Sequence, residues 1–165
     1  MRLKKQGRTK RALEAYTWLV AAEERVTRPL QGMLDSFGLT MSRFRVLVAL
    51  ARNGPMVHGA LVAEALRGSF GNGGLVLKNL ERDGLVKHGP HESDRRKIVY
   101  QLTPQGKTLV AEVFPEYAKG VRAHMAALLS REQELLARLC EKLQAGDLVR
   151  FYHELRAAEE EDAAR

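Results

Sequence analysis

Cysteine is almost absent from this 165-residue chain, and so are long uncharged runs. Cys140 has no second cysteine with which to form a disulfide within the chain, as is usual in a reducing compartment. The longest stretch without Asp, Glu, Lys or Arg covers residues 53–63, whereas a membrane-spanning helix needs about 20 apolar residues. No apolar signal segment opens the chain, because its first residues are mostly basic. We therefore expect a cytoplasmic protein that does not enter a membrane.

Residues of the kinds that catalysis or metal binding requires are sparse and scattered. The serines lie in positions typical of caps and turns, and Cys140 has no histidine partner in its own helix. His88 and His91, with Glu92, flank a Gly-Pro turn but supply too few convergent ligands for zinc. We expect no enzyme activity, no cofactor and no metal site.

Positive charge is what the chain has in excess, with 27 Lys and Arg against 20 Asp and Glu. The net charge of +7 makes polyanions the first class of partner to consider. Segment 1–11 holds six of the basic residues, and it is either a flexible solubilising arm or an arm that contacts phosphates.

Apolar residues recur at helical spacing on both sides of a short region in which every second residue is apolar. The first stripe covers residues 16–37, passes Pro29 and stops at Gly38. Thr40 is the predicted N-cap of a second helix that ends at Gly54. A third, short helix covers residues 60–66, and a fourth resumes the pattern at residue 73 after a turn.

The period changes to two after Gly84, where residues 85–87 and 98–102 predict the strands of a long hairpin. Two further helices follow the hairpin. Thr103 is the predicted N-cap of the first, and Ser130 with Gln133 forms the predicted capping box of the second. The apolar stripe continues at Leu148, Phe151, Tyr152 and Leu155.

This order of elements predicts a mainly α fold with a small β-hairpin, in which helix-turn-helix and hairpin form a winged-helix core. The predicted divisions are a basic arm (1–11), an N-terminal dimerisation helix (12–38), the winged helix-turn-helix domain (39–103) and C-terminal dimerisation helices (104–165). The terminal stripes are too long to be covered by so small a core. We expect them to bury one another in a homodimer.

Six motifs in order resemble the MarR family of bacterial winged-helix transcription regulators over residues 16–143. They are GLT at 38–40, FRVLVALA at 44–51, LERDGLV at 80–86, DRR at 94–96, LTPQG at 102–106 and LSREQ at 129–133. The resemblance implies a dimer, joined through its first and last helices, that binds a pseudo-palindromic operator in double-stranded DNA. It also implies a function that is usually repression and is commonly relieved by a small-molecule effector.

The sharpest functional signal is Asp94-Arg95-Arg96 in the hairpin. A pair of arginines at a hairpin tip can enter a narrow minor groove, and a carboxylate beside them can orient one of the two. The resemblance assigns Arg95, Arg96 and the adjacent Lys97 to DNA contact, with Asp94 supporting the wing. A solvated hairpin with a surface ion pair is the alternative.

The helix expected to read DNA departs from the family pattern, because its start is rich in glycine. Its inward stripe is predicted at Gly73, Val76, Leu77 and Leu80, which turns Gly71, Leu75, Lys78 and Arg82 outward. The candidate DNA contacts in this region are Ser69, Asn72, Lys78 and Asn79.

Three interpretations of these glycines are open. They let the backbone approach phosphate, they mark a helix that orders on DNA, or they indicate that sequence-specific binding has weakened. The third interpretation supports an alternative function, in which a winged-helix dimer serves as a protein-interaction module with weak or non-specific DNA binding.

Four aromatic residues, Tyr16, Trp18, Phe37 and Phe44, cluster near the first helix and its partner. They either line an effector cavity or form part of the packed core, since sequence does not distinguish the two.

Overall fold

The structure is a computed structural model that describes residues 2–66, 70–91 and 93–144. Its elements, in order, are α1 (Arg2–Asp35), α2 (Met41–Asn53), β1 (Met56–Val57), α3 (His58–Leu66), α4 (Phe70–Arg82), β2 (Val86–Pro90), β3 (Ile98–Leu102), α5 (Pro104–Met125) and α6 (Ser130–Gln144). The chain forms two compact units, of which the first ends at His124 and the second begins at Met125.

Helix α1 is longer than its apolar stripe. It includes residues 2–11 of the predicted basic arm, because the lysines, arginines and glutamine of this segment all favour helix. The helix continues through Pro29. Gly38, with a positive φ of 67°, then turns the chain toward α2, as its position in the sequence predicts.

The predicted boundaries of α2 are confirmed. Thr40 Oγ1 accepts a hydrogen bond from Arg43 N at 3.3 Å, and Gly54 ends the helix with a φ of 74°. The Gln31 side chain connects α1 to this start, because its Nε2 donates to Leu39 O at 3.1 Å and its Oε1 accepts from Met41 N at 2.9 Å. The N-terminal end of α2 is thereby fixed to α1 by hydrogen bonds.

The N-cap of α5 is confirmed, whereas that of α6 is shifted. Thr103 Oγ1 accepts from Gly106 N at 3.1 Å at the start of α5. At α6 the predicted box of Ser130 and Gln133 is wrong, because Leu129 N donates to Glu132 Oε2 at 2.8 Å. Gln133 Nε2 instead donates to Met125 O at the end of α5 and to Leu128 O in the turn that follows, at 3.0 Å each.

The strands form one antiparallel sheet in the order β1-β3-β2. Strand β3 has its predicted limits, while β2 extends to Pro90, beyond the predicted residues 85–87. Tyr100 on β3 pairs with His88 of β2 on one side and with Met56 of β1 on the other. Strand β1 was not predicted, because two residues are too few to show an alternating pattern.

One apolar core joins the helices of the winged-helix region to the sheet. The inward stripe of α4 is confirmed, since Gly73, Leu77 and Leu80 are buried and Val76 is partly buried. The largest fully buried side chains are Leu34, Leu47, Leu61, Leu77, Leu80, Val46, Val86 and Val113.

Two helices leave apolar faces uncovered. The exposed large apolar residues of α1 are Leu13, Tyr16, Trp18, Leu19 and Val20, and those of α6 are Leu135, Leu136, Leu139 and Leu143. Cys140 is partly exposed. The predicted continuation of the stripe at Leu148, Phe151, Tyr152 and Leu155 lies outside the described residues.

In the part of the chain that the structure describes, no helix combines the length and the apolar character that crossing a membrane requires.

Candidate nucleic-acid interface

The outer face of α4 is basic toward its C-terminal end. Lys78 and Arg82 are exposed on the line predicted to face outward, while Asn79 is only half exposed at its flank. Leu75 continues this line one turn before Lys78 and is also exposed. Of the other predicted contacts, Ser69 and the side chain of Asn72 lie outside the described residues.

The hairpin between β2 and β3 ends in a tight turn that places two arginines at its tip. Lys97 N donates to Asp94 O at 2.9 Å, so Arg95 and Arg96 occupy the two central positions of a four-residue turn. His91 N donates to Lys97 O at 2.9 Å and closes the hairpin behind this turn. Both arginine side chains are exposed, and that of Arg96 is 92% exposed.

Asp94 organises this turn. Its Oδ1 accepts from Arg96 N at 3.2 Å and from Arg96 Nε at 3.1 Å, as an aspartate at the first position of a turn commonly does. Lys97 Nζ lies 3.9 Å from Asp94 Oδ2. Among the described residues Arg95 has no such partner. The carboxylate therefore orients Arg96, which sequence alone left undecided, whereas Arg95 extends from the turn with no ion pair to any residue that the structure describes.

The Asp94 carboxylate is ionised at physiological pH. Hydrogen bonds from the Arg96 side chain, and next from its backbone, lower the pKa of Asp94 below its usual value of 3.8. Because the pKa is lowered in the folded state, the contribution of the carboxylate is present above pH 3.8 and is lost only as the pH falls through the lower value.

An ion pair fixes the C-terminal end of α4 to the start of α2. Arg43 pairs with Asp83, and Arg43 Nη1 also donates to Gly38 O at 3.2 Å. A hydrogen bond from Arg82 is the largest cause of the lowered pKa of Asp83, and Arg43 adds to it. Sequence reasoning missed this pair because 40 residues separate its members.

A second polar contact joins α4 to the wing. His88 Nδ1 on β2 lies 2.6 Å from Glu81 Oε1 on α4, and the His88 ring lies 5.6 Å from that of Tyr100. Burial, and next the Glu81 charge, raise the pKa of Tyr100. His91 is used in the turn, where its Nδ1 accepts from Ser93 N at 3.2 Å. The two histidines thus have separate partners, and Glu92 lies outside the described residues.

Over the ranges that the structure describes, no three His, Cys, Asp or Glu side chains come together as a metal site would require.

A cleft of about 410 Å³ lies between α2, α3 and α5. Phe44 lines it and packs on Tyr117, with 4.7 Å between the ring centroids. Tyr16 and Trp18 do not line this cleft, and they are 65% and 70% exposed. Phe37 is partly buried against the core. The structure therefore does not bring the four aromatic residues of the candidate effector site together around this cleft.

The wall of the cleft is charged as well as aromatic. Arg45 and Arg52 of α2 lie beside Glu64 of α3 and Phe114 of α5. Arg52 forms an ion pair with Glu64, whose Oε1 also accepts from Asn53 Nδ2 at 2.8 Å. This contact joins the end of α2 to α3 at the cleft, and its residues were not singled out from the sequence.

An outward basic helix next to an arginine-tipped hairpin is the arrangement of a winged-helix DNA-binding domain. No protein-family model matches the sequence. Individual proteins do match it. The sequence is similar to the HTH-type transcriptional regulator YwaE of Bacillus subtilis, with 29% identity over 115 residues. The match covers 67% of this chain, which spans 64% of the length of that relative.

Solved structures show the same fold. AbsC, a MarR family transcriptional regulator from Streptomyces coelicolor, is 26% identical, with a TM-score of 0.68 over 87% of this chain and 93% of that one. BpsR from Bordetella bronchiseptica, studied for the regulation of its DNA binding by 6-hydroxynicotinic acid, is 25% identical. Its TM-score is 0.72 over 79% of this chain and 93% of that one. In sequence and in fold the chain is thus similar to winged-helix transcription regulators of the MarR family.

Proposed function

We propose that this protein is a homodimeric, sequence-specific transcription regulator that represses by occupying a pseudo-palindromic operator. The observation that carries the proposal is a two-part basic surface. Lys78 and Arg82 face outward on α4, and Arg95 and Arg96 occupy the tip of the wing. In a winged helix such a pair of elements addresses the major groove and the adjacent minor groove.

The contacts behind this surface support the proposal because they hold its two parts in one arrangement. The Arg43–Asp83 pair fixes the end of α4, and the His88–Glu81 contact ties α4 to β2. Because these contacts order the surface before DNA binds, less conformational entropy is lost on binding.

We expect specific and strongly salt-dependent DNA binding. A band shift with DNA flanking the protein's own coding sequence should survive an excess of scrambled competitor. If a dimer makes about 6–10 phosphate contacts, affinity should fall about 10³–10⁵-fold between roughly 50 and 200 mM salt. Equal competition by scrambled DNA at moderate salt would contradict sequence-specific binding.

That result would instead favour a winged-helix dimer that interacts with proteins and binds DNA weakly or without specificity. The glycines at the start of α4 are the observation that favours this second function, because glycine supplies no base-reading side chain.

We expect a dimer at low micromolar concentration, because the apolar faces of α1 and α6 are uncovered in the single chain. Light scattering should give about twice the chain mass of 18.5 kDa. Leu139→Glu places a charge in the α6 face and should produce monomers or aggregates, whereas Arg138→Ala, at an exposed neighbouring residue, should leave the dimer intact. A monodisperse wild-type monomer would refute the dimer.

The cleft between α2, α3 and α5 supports release by a small effector. Arg45 and Arg52 offer positive charge beside the rings of Phe44 and Tyr117, which suits an aromatic acid. The relative BpsR has its DNA binding regulated by 6-hydroxynicotinic acid, a compound of this class. An acid that binds Arg52 would compete with Glu64 and loosen the contact between α2 and α3. In the band shift such an effector would displace the DNA.

A further inference from the structure

The side chain of Leu75 is a large apolar group on the outer face of α4. Leu75 is 59% exposed, whereas the other large apolar residues described after it in this helix, Val76, Leu77 and Leu80, are buried or partly buried. Its neighbours along the exposed line are charged, since Lys78 is three residues and Arg82 seven residues further along. Exposing a leucine among cations serves neither the core nor the solubility of the chain.

The glycines beside Leu75 have different surroundings. A Cβ at Gly73 would lie 3.1 Å from both Cγ atoms of Val62, so close packing of α4 on α3 explains the glycine there. A Cβ at Gly74 would meet nothing within 4 Å, and Gly74 is exposed. Packing within the chain therefore does not explain Gly74, even though alanine would make a more stable helix.

We propose that Leu75 reads a thymine in each operator half-site by packing on its C5 methyl group, and that Gly74 keeps the backbone beside it bare so that the helix can approach the base edges. The proposal rests on the DNA-binding function proposed above. Thymine is the only base that presents a methyl group in the major groove, and an apolar side chain can recognise no polar edge. Lys78, one turn further along, supplies the charged contact that Leu75 lacks.

The test removes the methyl group without changing the base pair. A half-site is first obtained by selection from random duplexes with the full-length protein. Each of its thymines is then replaced by uracil, which has the same hydrogen-bonding edge. At one thymine the wild-type protein should lose about fourfold in affinity per half-site and about 15-fold when both half-sites are changed, as expected for one methyl group withdrawn from an apolar contact.

The variant Leu75→Ala should bind the thymine and uracil duplexes equally well. Its fold is expected to be retained because Leu75 is exposed, and a thermal melt checks this. Ile98→Ala removes an exposed apolar side chain from β3 instead, and it should keep the full preference for thymine. The comparison thus isolates Leu75 from a general loss of apolar surface.

Gly74→Ala tests the other half of the proposal. It should raise the melting temperature and yet weaken binding at least about tenfold, the cost of displacing one good contact in the groove. Gly32→Ala, in α1, changes another exposed helical glycine with nothing within 4 Å and should leave DNA binding unchanged.

Several results would overturn the inference. The selected half-site could contain no thymine, or the wild-type protein could bind equally well when uracil replaces thymine at every position. The Leu75→Ala variant could also still bind the thymine duplex more tightly than the uracil duplex. Tighter binding by Gly74→Ala would show that α4 orders on DNA and would overturn the role of Gly74. In each case specific binding by the wild-type protein would persist, so the proposed function would survive. Selection that yields no preferred sequence would overturn both.

Discussion

Alanine at Arg95 or Arg96 is expected to weaken operator binding by roughly 2–6 kcal/mol while leaving the fold intact. Each variant removes one contact from both subunits of the proposed dimer, and a base contact is worth about 1–3 kcal/mol. Stability should hardly change, because both side chains are exposed at the tip of the turn. Fluorescence anisotropy titrations on one operator, with thermal melts alongside, measure the two effects separately.

Substitutions at Asp94 distinguish its role in supporting the wing from the DNA contacts that the arginines are proposed to make. Asp94→Ala should cost less than either arginine change, because the carboxylate acts only by orienting Arg96 and the turn. Asp94→Asn retains an oxygen that can accept from Arg96 N, so it should lie between Asp94→Ala and the wild type. Arg122→Ala removes an exposed arginine from α5 and serves as the matched control.

If both arginine variants bind within about twofold of the wild type and melt normally, the wing does not contact DNA. The contacts would then come from α4 or from the basic segment 1–11.

Alanine at Gly106 is expected to destabilise the protein by at least about 3 kcal/mol. A Cβ there would lie 2.0 Å from Leu85 O, and a backbone carbonyl cannot turn aside as a side chain can. The same carbonyl accepts from Thr103 N at 3.1 Å, and Thr103 Oγ1 donates to Gly84 O at 2.6 Å. The added methyl group therefore pushes the base of the wing away from α5. The resulting loss of stability should exceed the usual cost of overpacking, about 1–3 kcal/mol.

Thermal unfolding measures this effect. At about 2–4 °C per kcal/mol for a chain of this size, the melting temperature should fall by about 6–12 °C or more. Gly32→Ala, at an open helical position, should raise it slightly. A melting temperature for Gly106→Ala equal to that of the wild type would show that α5 and the base of the wing are not packed as described.

Local patterns in the chain were sufficient to predict most of the fold. The spacing of apolar residues predicted the order of the helices and the inward stripe of α4, and Gly38 and Gly54 marked two boundaries correctly. The limits of β3 and the Thr103 N-cap also follow from a few neighbouring residues. These features depend on interactions within one or two turns, so the sequence expresses them directly.

Contacts between distant residues could not be predicted in the same way. The Arg43–Asp83 pair joins residues 40 positions apart, and the partner of Asp94 depended on the geometry of the turn. Strand β1 exists only because β3 lies beside it. The exposure of Tyr16 and Trp18, and the different surroundings of Gly73 and Gly74, are likewise set by which elements pack together. Periodicity records which face of an element is apolar, whereas the identity of the residues that meet that face depends on how the whole chain packs.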